Sequence, residues 1–141
     1  MSENKKLMIG GQALRELGSC RHTDDVDYLV NVQEDWTFKH EANCDLINCN
    51  NNNFFAKIWK IEADNNGIAS AQSLLELKAY AIVQHYQNGN MAKARTSAAD
   101  IMFLVAECNL DRVITVKEFL TVAELEFVNE QIAAGMKYRN N

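Results

Sequence analysis

Ile9-Gly10-Gly11-Gln12-Ala13-Leu14, followed by Arg21-His22-Thr23-Asp24-Asp25-Val26-Asp27-Tyr28-Leu29-Val30, is the part of the chain whose reading decides the fold. A glycine has no Cβ, so backbone at Gly10-Gly11 can approach another group closely, and a helix opening there presents unpaired N–H groups. Gln12–Leu17 has helical propensity and stops near Gly18. Val26, Tyr28, Val30 and Val32 then alternate with Asp25, Asp27, Leu29 and Asn31, the period-2 signature of a strand. Residues two apart on a strand point to the same side, roughly 6–7 Å apart, so Asp25 and Asp27 present two carboxylates to one small volume. Hard divalent cations such as Mg²⁺ take oxygen ligands of this kind and share them with substrate phosphates. Taken singly, a Gly-Gly turn and an Asp-x-Asp strand also describe an ordinary turn and two exposed aspartates.

Outward from this stretch, Trp36–His40 reads as a short strand and Cys44–Cys49 as another, an apolar run interrupted by Asp45. Phe54–Ala63 is open between helix and strand, because its aromatic and aliphatic residues fit both. Asn48–Asn53 is Asn-rich, so its later part reads as a loop tip, and Asn66-Gly67 and Asn88-Gly89 mark turns. Ser73 can cap a helix running to about Asn88, where Gly89 ends it, and a second helix spans about Met91–Cys108. Thr115 and Thr121 cap two last pieces, Val116–Leu120 and Val122–Ala134. Strands early and helices late predict an α+β fold: a small mixed β-sheet carrying the Gly-Gly and Asp-x-Asp site, packed against C-terminal helices. The chain has no proline, repeat or linker-like stretch, so the expectation is one domain over 1–141.

With 141 residues, 48% of them apolar and 23% charged, the chain has the composition of a globular domain with a real core. No apolar run approaches the roughly 20 residues that span a bilayer. Met1–Gly11 has too few apolar residues for a signal peptide, so the expected location is cytoplasmic. A net charge of −5 argues against a generally basic nucleic-acid surface and leaves room for a local basic strip. Four cysteines, at 20, 44, 49 and 108, lack disulfide-scaffold density and read as free thiols. A zinc site from His40, Cys44 and Cys49, with Cys20 or His22, is a minor alternative whose spacing matches no usual zinc pattern.

The Gly-Gly turn opening a helix and the following Asp-x-Asp strand, in this order, resemble the nucleotidyltransferase superfamily of polymerase-beta type. Gly10-Gly11-Gln12-Ala13 and Thr23-Asp24-Asp25-Val26-Asp27 look closest to the abortive-infection type, which includes toxin nucleotidyltransferases of bacterial toxin–antitoxin pairs. The resemblance covers residues 8–32 and, less closely, 73–105. Lys78 stands among Leu74, Leu75, Ala81 and Ile82 at helical spacings. Read alone, it is either a snorkelling side chain or an anion contact. In similar nucleotidyltransferases the matching lysine contacts nucleotide phosphates. Asp100, ahead of Ile101, matches an aspartate of a later family motif, or else pairs with Arg95 or Lys93. Where relatives carry a Lys-Asp pair upstream of it, this chain has Thr96-Ser97. The family commonly supplies a third carboxylate from a neighbouring strand, for which Asp45 is the candidate and Glu41 the runner-up. His85 falls one turn beyond Ile82 and is uninformative alone.

The resemblance implies transfer of a nucleoside monophosphate from an NTP to an acceptor hydroxyl with Mg²⁺, two ions during turnover. Asp25, Asp27 and Asp45 would hold the metal, and Asp45 could also activate the acceptor. Gly10, Gly11, Arg21, Thr23, Lys78 and Asp100 would line the nucleotide. The acceptor is open between RNA, a small molecule and a protein side chain. The alternative is a non-catalytic module of the same fold that binds a nucleotide or a partner protein. The apolar segment Phe119–Ala134 is a possible surface for a second copy.

Overall fold

A computed structural model describes residues 5–23, 25–65 and 67–139. Asp24 of the Asp-x-Asp motif and Asn66 of the Asn66-Gly67 turn lie outside the described residues. The chain is α+β and divides into two compact units, Met1–Ser70 and Ala71–Asn141. Neither a Pro/Gly-rich stretch nor a charge run marks the join at Ser70-Ala71, so composition carries no sign of it.

The first unit is built on four strands: β1 (Leu7–Ile9), β2 (Val26–Val30), β3 (Phe38–Glu41) and β4 (Cys44–Asn48). Their order in the sheet is β1-β2-β4-β3, with β2 and β4 parallel and the outer pairs antiparallel. Helix α1 (Gly10–Glu16) follows β1 directly, and α2 (Asn53–Ile61) follows a short 3-10 turn at Cys49–Asn51. The core forms where Leu7, Leu14, Leu29, Phe54 and Ile58 are removed from water. Phe54–Ala63, ambiguous by composition, resolves as helix, because Phe54, Phe55 and Ile58 then fall on one buried side.

In the Asn-rich run, Asn48 ends β4 and the later part forms the short turn that leads into α2. Asn48 is fully buried; its Oδ1 accepts from the N–H groups of Val32 and Asn50, and its Nδ2 donates to the carbonyls of Val32, Glu34 and Trp36. The side chain thus satisfies backbone carbonyls of the β2–β3 connection at Val32, Glu34 and Trp36. Asn51 donates to the same Glu34 and Trp36 carbonyls, and Asn52 caps α2 by accepting from Phe55 N–H at 3.0 Å. Trp36 is thereby held in the connection, and the strand begins at Phe38.

The second unit is helical: α3 (Ala71–Gln87), α4 (Met91–Glu107), a 3-10 turn at Val116–Phe119, and α5 (Val122–Arg139). Ser73 does not cap α3; the helix starts at Ala71 and Ser73 is buried within it. Asn90 caps α4, accepting from Lys93 N–H. Thr121 caps α5 reciprocally: its Oγ1 accepts from Glu124 N–H, while Glu124 Oε1 accepts from Thr121 N–H. Val128 and Ile132 of α5 are buried within this unit's own core, and Phe127 packs its ring 4.9 Å from that of Tyr86 on α3. Among the described residues no helix is long and apolar enough to cross a membrane.

Candidate functional site

Strand register places the acidic residues. Asp27 on β2 is the Cα partner of Ile9 on β1 and of Asp45 on β4, and Asp45 is in turn the partner of His40 on β3. One row, Ile9–Asp27–Asp45–His40, therefore crosses the whole sheet. Neighbouring strands lie roughly 4.8 Å apart, so the two half-buried aspartates are adjacent. The row two residues on is Leu7–Leu29–Ile47–Phe38, whose first two members are fully buried and whose Phe38 ring meets Phe55 edge-on at 6.1 Å. Residues two apart share a sheet face. The carboxylates thus rise from the same face as the core, one row beyond its apolar part.

The Gly-Gly pair closes against this row. Gly10 has φ +72°, and a Cβ there would stand 2.1 Å from Asp27 Oδ2. A Cβ on Gly11 would stand 1.8 Å from Arg21 Nη1 and 3.1 Å from Thr23 Cβ. Only glycine lets the start of α1 approach the Asp27 carboxylate and the Arg21 guanidinium together. Thr23 Oγ1 donates to the Asp25 carbonyl at 3.1 Å, shaping the entry into β2. Asp25 itself is exposed just ahead of the strand. Gly10, Gly11, Arg21, Thr23, Asp27 and Asp45 therefore belong to one unit, each tied by close approach or strand register to another of the six.

His40, named from the sequence only as a ligand of the zinc alternative, joins this row through Asp45. Its Nδ1 is 2.5 Å from Asp45 Oδ1, with the two side chains 66% and 45% exposed. The hydrogen bond to Asp45, then the Asp45 charge and more weakly that of Asp25, raise the His40 pKa above its ordinary value. Asp25 thus acts electrostatically on the same neighbourhood as Asp45. No sequence signal marks His40, because its role depends on cross-strand register.

Lys78 and Asp100 belong to the second unit and engage each other: Lys78 Nζ lies 2.9 Å from Asp100 Oδ2, with side chains 15% and 3% exposed. The ion pair foreseen for Asp100 with Arg95 or Lys93 is thus made with Lys78, on the facing helix. Burial, followed by the charges of Lys93 and Lys78, lowers the His85 pKa and favours its neutral form.

Asp25, Asp27 and Asp45 offer the hard oxygen donors that suit Mg²⁺, and the Asp27 carboxylate takes the space that a Cβ on Gly10 would fill. The donor set fits such an ion, although among the described residues no three His, Cys, Asp or Glu side chains converge as a ready-made cage. That also leaves the zinc alternative unassembled. Cys49 is buried, and burial pushes its thiol up to about 11, so it stays protonated at neutral pH. Compared with protein-family models, with curated proteins and with solved structures, the chain matches none.

Proposed function

We propose that the chain is a Mg²⁺-dependent nucleotidyltransferase that moves a nucleoside monophosphate from an NTP to an acceptor hydroxyl. The observation that carries this reading is the adjacency of Asp27 and Asp45 on neighbouring parallel strands, with the Gly10 backbone pressed against the Asp27 carboxylate. In the reaction, the acceptor oxygen bonds to the α-phosphorus, the bond from that phosphorus to the bridging oxygen breaks, and pyrophosphate leaves. The proton of the hydroxyl passes to a base, for which Asp45 is the candidate in this unit. Mg²⁺ held by the carboxylates would supply charge neutralisation to the attacking and leaving oxygens. Gly10-Gly11 would admit the triphosphate close to the backbone, and Arg21 would set a fixed positive charge beside it. Such catalysis is mainly positioning and charge stabilisation.

Two observations favour a second reading, a module that binds nucleotide or a partner protein without turnover. Asp45 is engaged by His40 and Lys78 by Asp100, so two groups expected to serve substrate already have partners within the chain. One experiment separates the readings. Purified protein is incubated with Mg²⁺, each of four α-labelled NTPs in turn, and cellular RNA, protein or small-molecule extract. The enzyme reading expects label transferred to one acceptor class by wild type and none by Asp27→Asn. Nucleotide binding without transfer to any fraction supports the module.

A further inference from the structure

His40 and Asp27 flank Asp45 from opposite sides. Asp27 is the Cα partner of Asp45 on β2, the inner neighbour of β4, and His40 is its partner on β3, the outer edge. The Asp45 oxygen that contacts His40 lies on the outer-strand side of β4. In this structure Asp45 Oδ1 reaches His40 Nδ1 at 2.5 Å. We propose that His40 is a latch: it holds the Asp45 carboxylate toward the edge strand, and a divalent cation bound at Asp27 draws Asp45 free of it. The inference rests on the metal-site reading above and adds how that site is kept open.

Three further features support a latch rather than a fixed brace. Asp27 and Asp45 are adjacent carboxylates, so without a cation their repulsion is relieved when one turns away. His40 supplies a hydrogen-bond donor on the side Asp45 turns to. The His40 ring is 66% exposed on an edge strand whose four residues are all exposed, so letting go of Asp45 leaves it hydrated rather than buried without a partner. A brace that orients a metal ligand would be expected to be shielded; this contact is open to water on both partners.

The test is cation binding, read without any turnover. Mn²⁺ alone is titrated into wild type, His40→Ala and His40→Phe, and free Mn²⁺ is followed by its paramagnetic resonance signal. Both variants should bind Mn²⁺ about two- to fivefold more tightly, the range that releasing one exposed charge-assisted contact allows. The gain should vanish when Asp45→Asn is added, because the latch acts through that carboxylate alone. The phenylalanine variant keeps a ring on the edge strand, so a shared result is not a packing artefact. Weaker binding in both variants would make His40 a brace for Asp45 and overturn the latch, as would unchanged binding, each with the metal site still standing. Absence of Mn²⁺ binding in wild type and both variants would remove the metal-site reading, and the latch with it.

Discussion

Glu76 in the helical unit and the Asp27–Asp45 pair in the sheet unit use carboxylates in opposite ways. Glu76 is buried and accepts four hydrogen bonds: from the backbone N–H groups of Ile114, Thr115 and Val116, and from Gln72 Nε2. Its charge is spread over donors that exist only in the folded chain, and it ties the start of the 3-10 turn at Val116–Phe119 to α3. Asp27 and Asp45 stand half-buried in adjacent register on neighbouring strands. A buried carboxylate surrounded by donors serves stability, whereas like charges placed in adjacent register oppose it until a cation arrives. The difference marks where the molecule uses acidity to hold its fold and where it holds acidity in reserve for a ligand.

Breaking the first half of that comparison should have the largest effect. Glu76→Ala leaves three backbone N–H groups without their acceptor, and each orphaned group costs about 1–3 kcal/mol. With partial rescue by water, a loss of about 3–5 kcal/mol is expected, lowering the melting temperature by roughly ten degrees or more in a circular dichroism melt. A variant melting with wild type would show that the nest is not structural.

The Lys78–Asp100 pair comes next. Lys78→Met keeps the stem but takes away the cation facing a carboxylate that is only 3% exposed, and a loss of about 3 kcal/mol is expected. Adding Asp100→Leu should recover most of it, since a buried ion pair is often replaceable by apolar residues of similar volume. A double variant no more stable than Lys78→Met would mean that Asp100 holds other partners the fold needs.

The helices were legible because their signals are long and local. α3 and α4 run 17 residues each, with Asn88-Gly89 between them as punctuation. β2 was legible from its alternation, and Gly10, Gly11, Asp25, Asp27 and Asp45 from residue type and order. What escaped reading is non-local. β1 is three residues, too short for a period to show. Asp45 was expected on a neighbouring strand only through the family resemblance; its register with Asp27 depends on parallel pairing of strands separated by β3, which no stretch of sequence encodes by itself. The same register brings His40 to Asp45. The burial of Asn48 was not legible either, because the backbone it serves lies 12 to 16 residues away. Ser73 shows the limit of cap reading, since a serine can equally be buried in a helix two residues past its start.

The smallest change in stability carries the central claim. Asp27→Asn removes one of two adjacent charges, so without ligand the variant should melt at or slightly above wild type. Mg²⁺ with an NTP in hundredfold excess over Kd stabilises a protein that binds it only when folded by about 2.7 kcal/mol. Wild type should therefore melt several degrees higher with Mg²⁺ and at least one of the four NTPs, and Asp27→Asn should not. An unshifted wild type with all four nucleotides, or an Asp27→Asn variant that shifts as wild type does, would contradict a metal–nucleotide site at Asp27 and Asp45.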